Sequence, residues 1–88
     1  MTLQSYLADA GRGSAIRLAR ELGVAPVMVA QWASGKKEVA IARASDIERA
    51  TEGAVRRWDL RPGDWHRIWP ELVHVPGAPA VPILSQAA

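Results

Sequence analysis

Arg12, Arg17, Arg20, Lys36, Lys37 and Arg43 share a stretch in which the only acids are Glu21 and Glu38. Cationic side chains grouped this way can neutralise phosphates and release the counterions condensed on a nucleic acid. The locally basic first half is therefore compatible with a phosphate-binding face, although the net charge of the chain is only +2. On charge alone, solvated arginine stems on an ordinary surface read the same way. A second set, Arg49, Arg56, Arg57, Arg61 and Arg67, is interleaved with Glu48, Glu52, Asp59 and Asp64. Pairing at the surface accounts for it as well as an extended basic face does.

Other chemistry is thinly represented. His66 and His74, with Asp64 and Glu71 nearby, match no common zinc spacing and have no thiolate beside them, so no metal is expected. Without cysteine there is no disulfide framework and no thiolate nucleophile. No serine, histidine and carboxylate arrangement suggests a hydrolase, and no glycine loop is built to cradle a phosphate, so neither enzyme activity nor a cofactor is expected. Trp58, Trp65 and Trp69 are spaced among Leu60, Ile68 and Leu72 in a chain without phenylalanine. They read better as the seal of a small core, or as a dimer interface, than as platforms for stacked bases.

At 88 residues there is room for one small core, because a chain this short buries only about 60 to 65% of its unfolded surface. Thr2 is a suitable N-cap for a first helix with Leu3 and Leu7 on one face and Gly11 at its end. Ser14 then reads as the cap of a second helix with Leu18, Ala19 and Leu22 as its apolar stripe and Gly23 as its stop. Pro26, at the first helical position, opens a third helix that ends at Gly35. A fourth, over residues 41–51, has Ile41, Ala44, Ile47 and Ala50 at helical spacing. The run AVRRWDLRPGDWHRIWPEL, interrupted by Pro62, Gly63 and Pro70, suggests one or two short helical turns folded back on the bundle. The result is an all-α, small four- to five-helix bundle occupying residues 1–74. Residues 75–88, with Pro76, Pro79 and Pro82 and no charge, read as an extended or disordered tail.

The joint between the second and third helices carries most of the information. A tight turn between helices crossing at a steep angle brings their backbones close, so the inward position one turn before it must be small, as Ala19 is. Gly23 permits the positive φ of the corner, Val24 pins it, and Val29 with Trp32 holds the third helix to the core. Val27, Met28, Ala30 and Gln31 are left on outward or lateral faces that can enter a major groove. Residues 14–35 thus form a helix-turn-helix.

Over residues 3–65 the chain resembles the Cro-like phage repressors and, among them, the small YdaS-like prophage proteins catalogued as antitoxin-type regulators. The stretches LARELGVAP, QWASGKK, IERATEGAV and RWDLRP running into GDW carry the resemblance. It implies a lambda-repressor-like domain whose third helix reads DNA, acting as a transcriptional regulator or repressor that binds operators as a homodimer. By that resemblance Pro26, Val27 and Gln31 fall where relatives reach base edges, with Met28 and Ala30 flanking them. The Gln31 amide can both donate to and accept from adenine. Ser34, Lys36 and Lys37 fall where the sugar-phosphate backbone is gripped, and Ser14 with Ala15 where a helix N-terminus meets a phosphate, Arg17 lying close by. One departure matters: the family often carries hydroxyl side chains before and within this helix, whereas here stand Ala25, Val27, Met28 and Ala30.

An apolar outward face is also what a protein-binding helix presents. The expected partner is a double-stranded DNA operator, and the competing expectation is an interaction module or antitoxin that binds a toxin or another repressor. No segment has the length to cross a bilayer or the character of a signal peptide, which points to a cytoplasmic protein without a membrane partner.

Overall fold

The computed structural model describes residues 1–81. Four helices of two to three turns come first: α1 (Leu3–Ala10), α2 (Ser14–Leu22), α3 (Pro26–Ser34) and α4 (Ile41–Ala50). Two single-turn helices, α5 (Arg57–Leu60) and α6 (Trp65–Ile68), and a 3₁₀ helix over Pro70–His74 follow. The described residues contain no strand, and the fold is the expected small all-helical bundle. From 75 to 81 the chain makes a turn closed by the Ala78 amide on the Val75 carbonyl at 3.0 Å and forms no further helix. The rest of the expected tail, 82–88, lies outside the described residues.

The ends of α1 and α2 follow from local chemistry. Thr2 Oγ1 accepts from the Ser5 amide at 3.1 Å and so satisfies one of the donors a helix start leaves free. The start of α2 differs from the sequence expectation. Its N-cap is Gly13, left-handed at φ 83°, and Ser14 is already the first helical residue. The tight Gly11–Arg12–Gly13 link turns the Ser14 side chain inward, where the hydroxyl is buried and donates to the Leu7 carbonyl at 3.0 Å. It ties α2 to α1 instead of capping α2.

Two features expected at the α2–α3 corner are present, the positive φ of Gly23 and the burial of Ala19 and Val29. Gly23 adopts φ 71°, ψ 32°, and the Val24 amide bonds back to the Ala19 carbonyl at 3.0 Å, closing the last turn of α2. Open space lies where a Cβ at Gly23 would point, so what selects glycine is the backbone angle. Ala19 is 1% exposed and Val29 fully buried where α3 makes its most extensive packing, against α2. From α4, Arg43 Nη1 donates to the Leu22 carbonyl at 3.0 Å and satisfies the C-terminal end of α2.

Leu3, Leu18, Ala19, Val29, Val39, Ala44, Ile47 and Val55 form the core, with Trp32 and Trp69 among the half-buried residues packed on it. Two members, Val39 and Val55, come from connecting segments. Ile41, expected on the buried face of α4, stands exposed at its first residue. That helix ends at Ala50, one residue short of expectation, because Thr51 takes the cap position and its buried hydroxyl bonds backbone. Thr51 Oγ1 reaches the Ile47 carbonyl at 2.9 Å and accepts from the Val55 amide at 3.2 Å. Thr51→Val keeps the shape and strands a buried donor, so a loss of about 1–3 kcal/mol is expected in urea unfolding.

In the C-terminal segment Trp65 is 1% exposed and meets Trp58 edge to face at 5.7 Å, and Leu72 is buried nearby in sequence. Arg56 stacks over Trp58 at 4.9 Å and Arg57 over Trp69 at 5.3 Å. Tryptophan here is packing material, as its spacing suggested.

Candidate nucleic-acid interface

Val27, Ala30, Gln31 and Ser34 recur at helical spacing and lie on one face of α3. Pro26, Ala30 and Ser34 are exposed, Val27 is 61% exposed, and Met28 and Gln31 are half-buried at the sides. The Gln31 side-chain amide makes no hydrogen bond among the described residues, while its backbone carbonyl is heavily used. It accepts from Ser34 Oγ at 3.2 Å and from the Lys37 amide at 3.2 Å. Ser34 Oγ in turn accepts from the Lys36 amide at 3.3 Å. These bonds fold Lys36 and Lys37 back over the end of α3 and leave both side chains in solvent.

Across the corner, Arg17 and Arg20 are exposed on α2 and Arg12 in the loop before it. Backbone bonds at the start of α2 run from Ser14 to Gly11 and from Arg17 to Gly13, and the Ala15 and Ile16 amides make none among the described residues. The site residues expected from sequence thus lie on α3, the turn after it and the first turn of α2, with one correction. Ser14 is buried with its hydroxyl occupied, so its side chain is not available to a ligand.

Most of the cations fall into two groups. Arg12, Arg17, Arg20, Lys36 and Lys37 are exposed and enter no ion pair among the described residues. Those of the second half are largely neutralised: Arg49 pairs with Asp46 at 2.8 Å, and Arg56 and Arg57 share Glu48 at 3.6 and 3.2 Å. Arg43 belongs to the basic stretch by sequence but is spent on the end of α2. An open cleft of about 560 Å³ between α2 and α4 is lined by Glu21, Asp46 and Glu52 against Arg49 alone, which makes it a poor place for a phosphate.

Arg61 escaped the sequence reading as anything but a surface cation. Its side chain is 11% exposed and forms a fork on Asp64, Nε to Oδ1 at 3.1 Å and Nη2 to Oδ2 at 2.8 Å. Nη1 reaches the Val39 carbonyl at 2.6 Å, and Nη2 lies 3.3 Å from Glu38 Oε1. Only the spacing of three between Arg61 and Asp64 hinted at this.

The hydrogen bond from Arg61, then its charge, hold the Asp64 carboxyl below its ordinary value of 3.8 against the opposing effect of burial. A carboxyl with a folded pKa below its unfolded one adds stability above the unfolded value, and the gain is lost as pH falls through the folded value. Acidification from about pH 5 to 2 should therefore lower the melting temperature, and Asp64→Asn should flatten that limb of the profile.

His66 is buried against Trp65 at 5.7 Å, with neither ring nitrogen bonded, and His74 is exposed on the 3₁₀ helix. Among the described residues no three of His, Cys, Asp and Glu come together as metal ligands, and no helix is long and apolar enough to cross a membrane.

A model of the family described as "Bacterial toxin YdaS" matches residues 7–68, from α1 through α6. Over 54 residues the chain is 44% identical to the Escherichia coli (strain K12) protein named "Putative transcriptional regulator YdaS", covering 60% of this chain and 55% of that protein. The chain thus matches about half the length of this curated relative. Since the family match takes in most of the sequence, with every turn around α3 inside it, the chain belongs to the YdaS family.

Proposed function

We propose that this chain is a Cro-like, double-stranded DNA-binding regulator whose residues 1–74 act as the binding domain. The observation that carries the reading is the exposed face of α3 together with exposed cations that enter no ion pair among the described residues, Lys36 and Lys37 just after that helix and Arg12, Arg17 and Arg20 before and along α2. On this reading Pro26, Val27, Met28, Ala30 and Gln31 meet base edges in the major groove. Gln31 supplies the one bidentate polar contact, and Val27 and Ala30 sit against thymine methyls. Arg17, the Ala15 amide, Ser34, Lys36 and Lys37 hold phosphates and set register. Ser14 leaves that set, except through the helix start it helps to anchor.

Two protomers reading half-sites about 34 Å apart would occlude a promoter, which makes the regulator a repressor of prophage type, working in the cytoplasm without enzymatic chemistry. The resemblance of residues 3–65 to Cro-like repressors and the name of the E. coli relative both support a regulator.

A second reading, a toxin or antitoxin module that binds a protein through α3, is favoured by the apolar character of the exposed Val27 and by the description of the family as a bacterial toxin. Fluorescence anisotropy on random-sequence duplexes separates the two. Arg17, Lys36 and Lys37 together call for log K falling against log salt with a slope of about −3 per protomer. Binding that is absent, or indifferent to salt, would overturn the DNA reading.

A further inference from the structure

We infer that Arg61 is a positioning residue for the proposed DNA interface: it fixes the segment that carries Lys36 and Lys37 and offsets part of the charge of Glu38 beside them. The inference rests on the DNA-binding reading for its consequence, though not for its geometry. Lys36, Lys37 and Glu38 are consecutive and exposed, and Glu38 is the one acid in the turn that leaves α3. Left alone, its carboxylate would repel the same phosphates the lysines attract. Arg61 lies 22 positions beyond Val39 and reaches both the Val39 carbonyl, at 2.6 Å, and Glu38 Oε1, at 3.3 Å. Asp64 holds the guanidinium in place through two parallel bonds at 3.1 and 2.8 Å. Such a fork is rigid and permanently charged, which a lysine cannot reproduce. The segment is thus clamped at one end by Ser34 and the Gln31 carbonyl and at the other by Arg61. Through this side chain the C-terminal segment bears on the turn that leaves α3.

The test uses the full chain and its Arg61→Gln, Arg61→Lys, Glu38→Gln and Arg61→Gln/Glu38→Gln variants, each checked for helix content and melting. Affinity is read on a duplex selected by the wild type and on a scrambled one. Arg61→Gln should weaken both by roughly five- to tenfold at 0.1 M salt, about what one neutralised phosphate contributes through counterion release. Glu38→Gln should change little in the wild type and recover much of the loss in the Arg61→Gln chain, an interplay that a purely structural arginine would not produce. Amide exchange at Lys36 and Lys37, measured without DNA, should quicken several-fold in both Arg61 variants. If Arg61→Gln does not fold, Arg61→Lys is read in its place, with faster exchange and weaker binding expected. Wild-type exchange in these variants, or an equal effect of Glu38→Gln in both backgrounds, overturns the inference. A wild type that binds no DNA while exchange quickens as expected refutes the DNA reading and leaves the clamp standing.

Discussion

Lys36→Ala/Lys37→Ala should weaken binding to matched and unmatched duplexes alike, by roughly fiftyfold at 0.1 M salt, and make the salt slope shallower by about 2. The size follows from removing two exposed cations that no carboxylate holds among the described residues. Both follow directly on the end of α3, where the Gln31 carbonyl and Ser34 hydroxyl fix their backbone, so the loss reflects two ordered phosphate contacts. Because phosphates are alike at every sequence, preference among duplexes should stay constant. Gln31→Ala supplies the contrast: it removes the one polar side chain on the reading face able to pair bidentately and should cost about 1–3 kcal/mol of discrimination with a salt slope unchanged. Anisotropy titrations of the three proteins on matched and scrambled duplexes, at several salt concentrations, check both outcomes. Equal affinity for the double variant and the wild type would remove the lysines from the interface.

Trp65→Ala should be the most damaging single change to stability. Trp65 is the largest fully buried side chain, it meets Trp58 edge to face, and its removal leaves a hole that a one-turn helix cannot close. Large aromatic truncations of this kind cost about 3–5 kcal/mol, against a total of roughly 4–13 for a chain of this length. A melting temperature lower by about 12 °C or more is expected, read by circular dichroism. A drop of only a few degrees would mean that the C-terminal segment is not part of the cooperative fold.

What could be read in advance divides along physical lines. Leu18, Ala19, Val29, Ala44 and Ile47 announce themselves because helical periodicity puts them on inward faces, and Gly23 because few residues tolerate its backbone angle. Val39 and Val55 belong to the same core, but they sit in connecting segments where no period marks a residue as buried. The four-residue helices α5 and α6 are shorter than the window over which periodicity can be recognised. Ser14 and Gly13 compete for the start of α2, and only the left-handed backbone at Gly13 decides that the serine hydroxyl turns in to Leu7.

Within the candidate site, residue type identified the exposed lysines and Gln31, whereas whether a cation is free or paired depends on what folds beside it. Arg43 and Arg61 are indistinguishable by type from Arg17. One closes the end of α2 and the other clamps the segment after α3, each through a contact more than twenty positions away along the chain.

The central claim is that the face of α3 and the cations around it receive DNA. An NMR titration of labelled protein with a duplex selected from random sequence tests it most directly, because it reports where contact occurs as well as whether it does. Shifts should concentrate at the Ala15–Arg17 amides, along α3 from Val27 to Ser34, at the Gln31 side-chain amide and at Lys36 and Lys37, and should fade as salt is raised. Absence of shifts, or shifts confined to the acidic cleft between α2 and α4, would contradict the account.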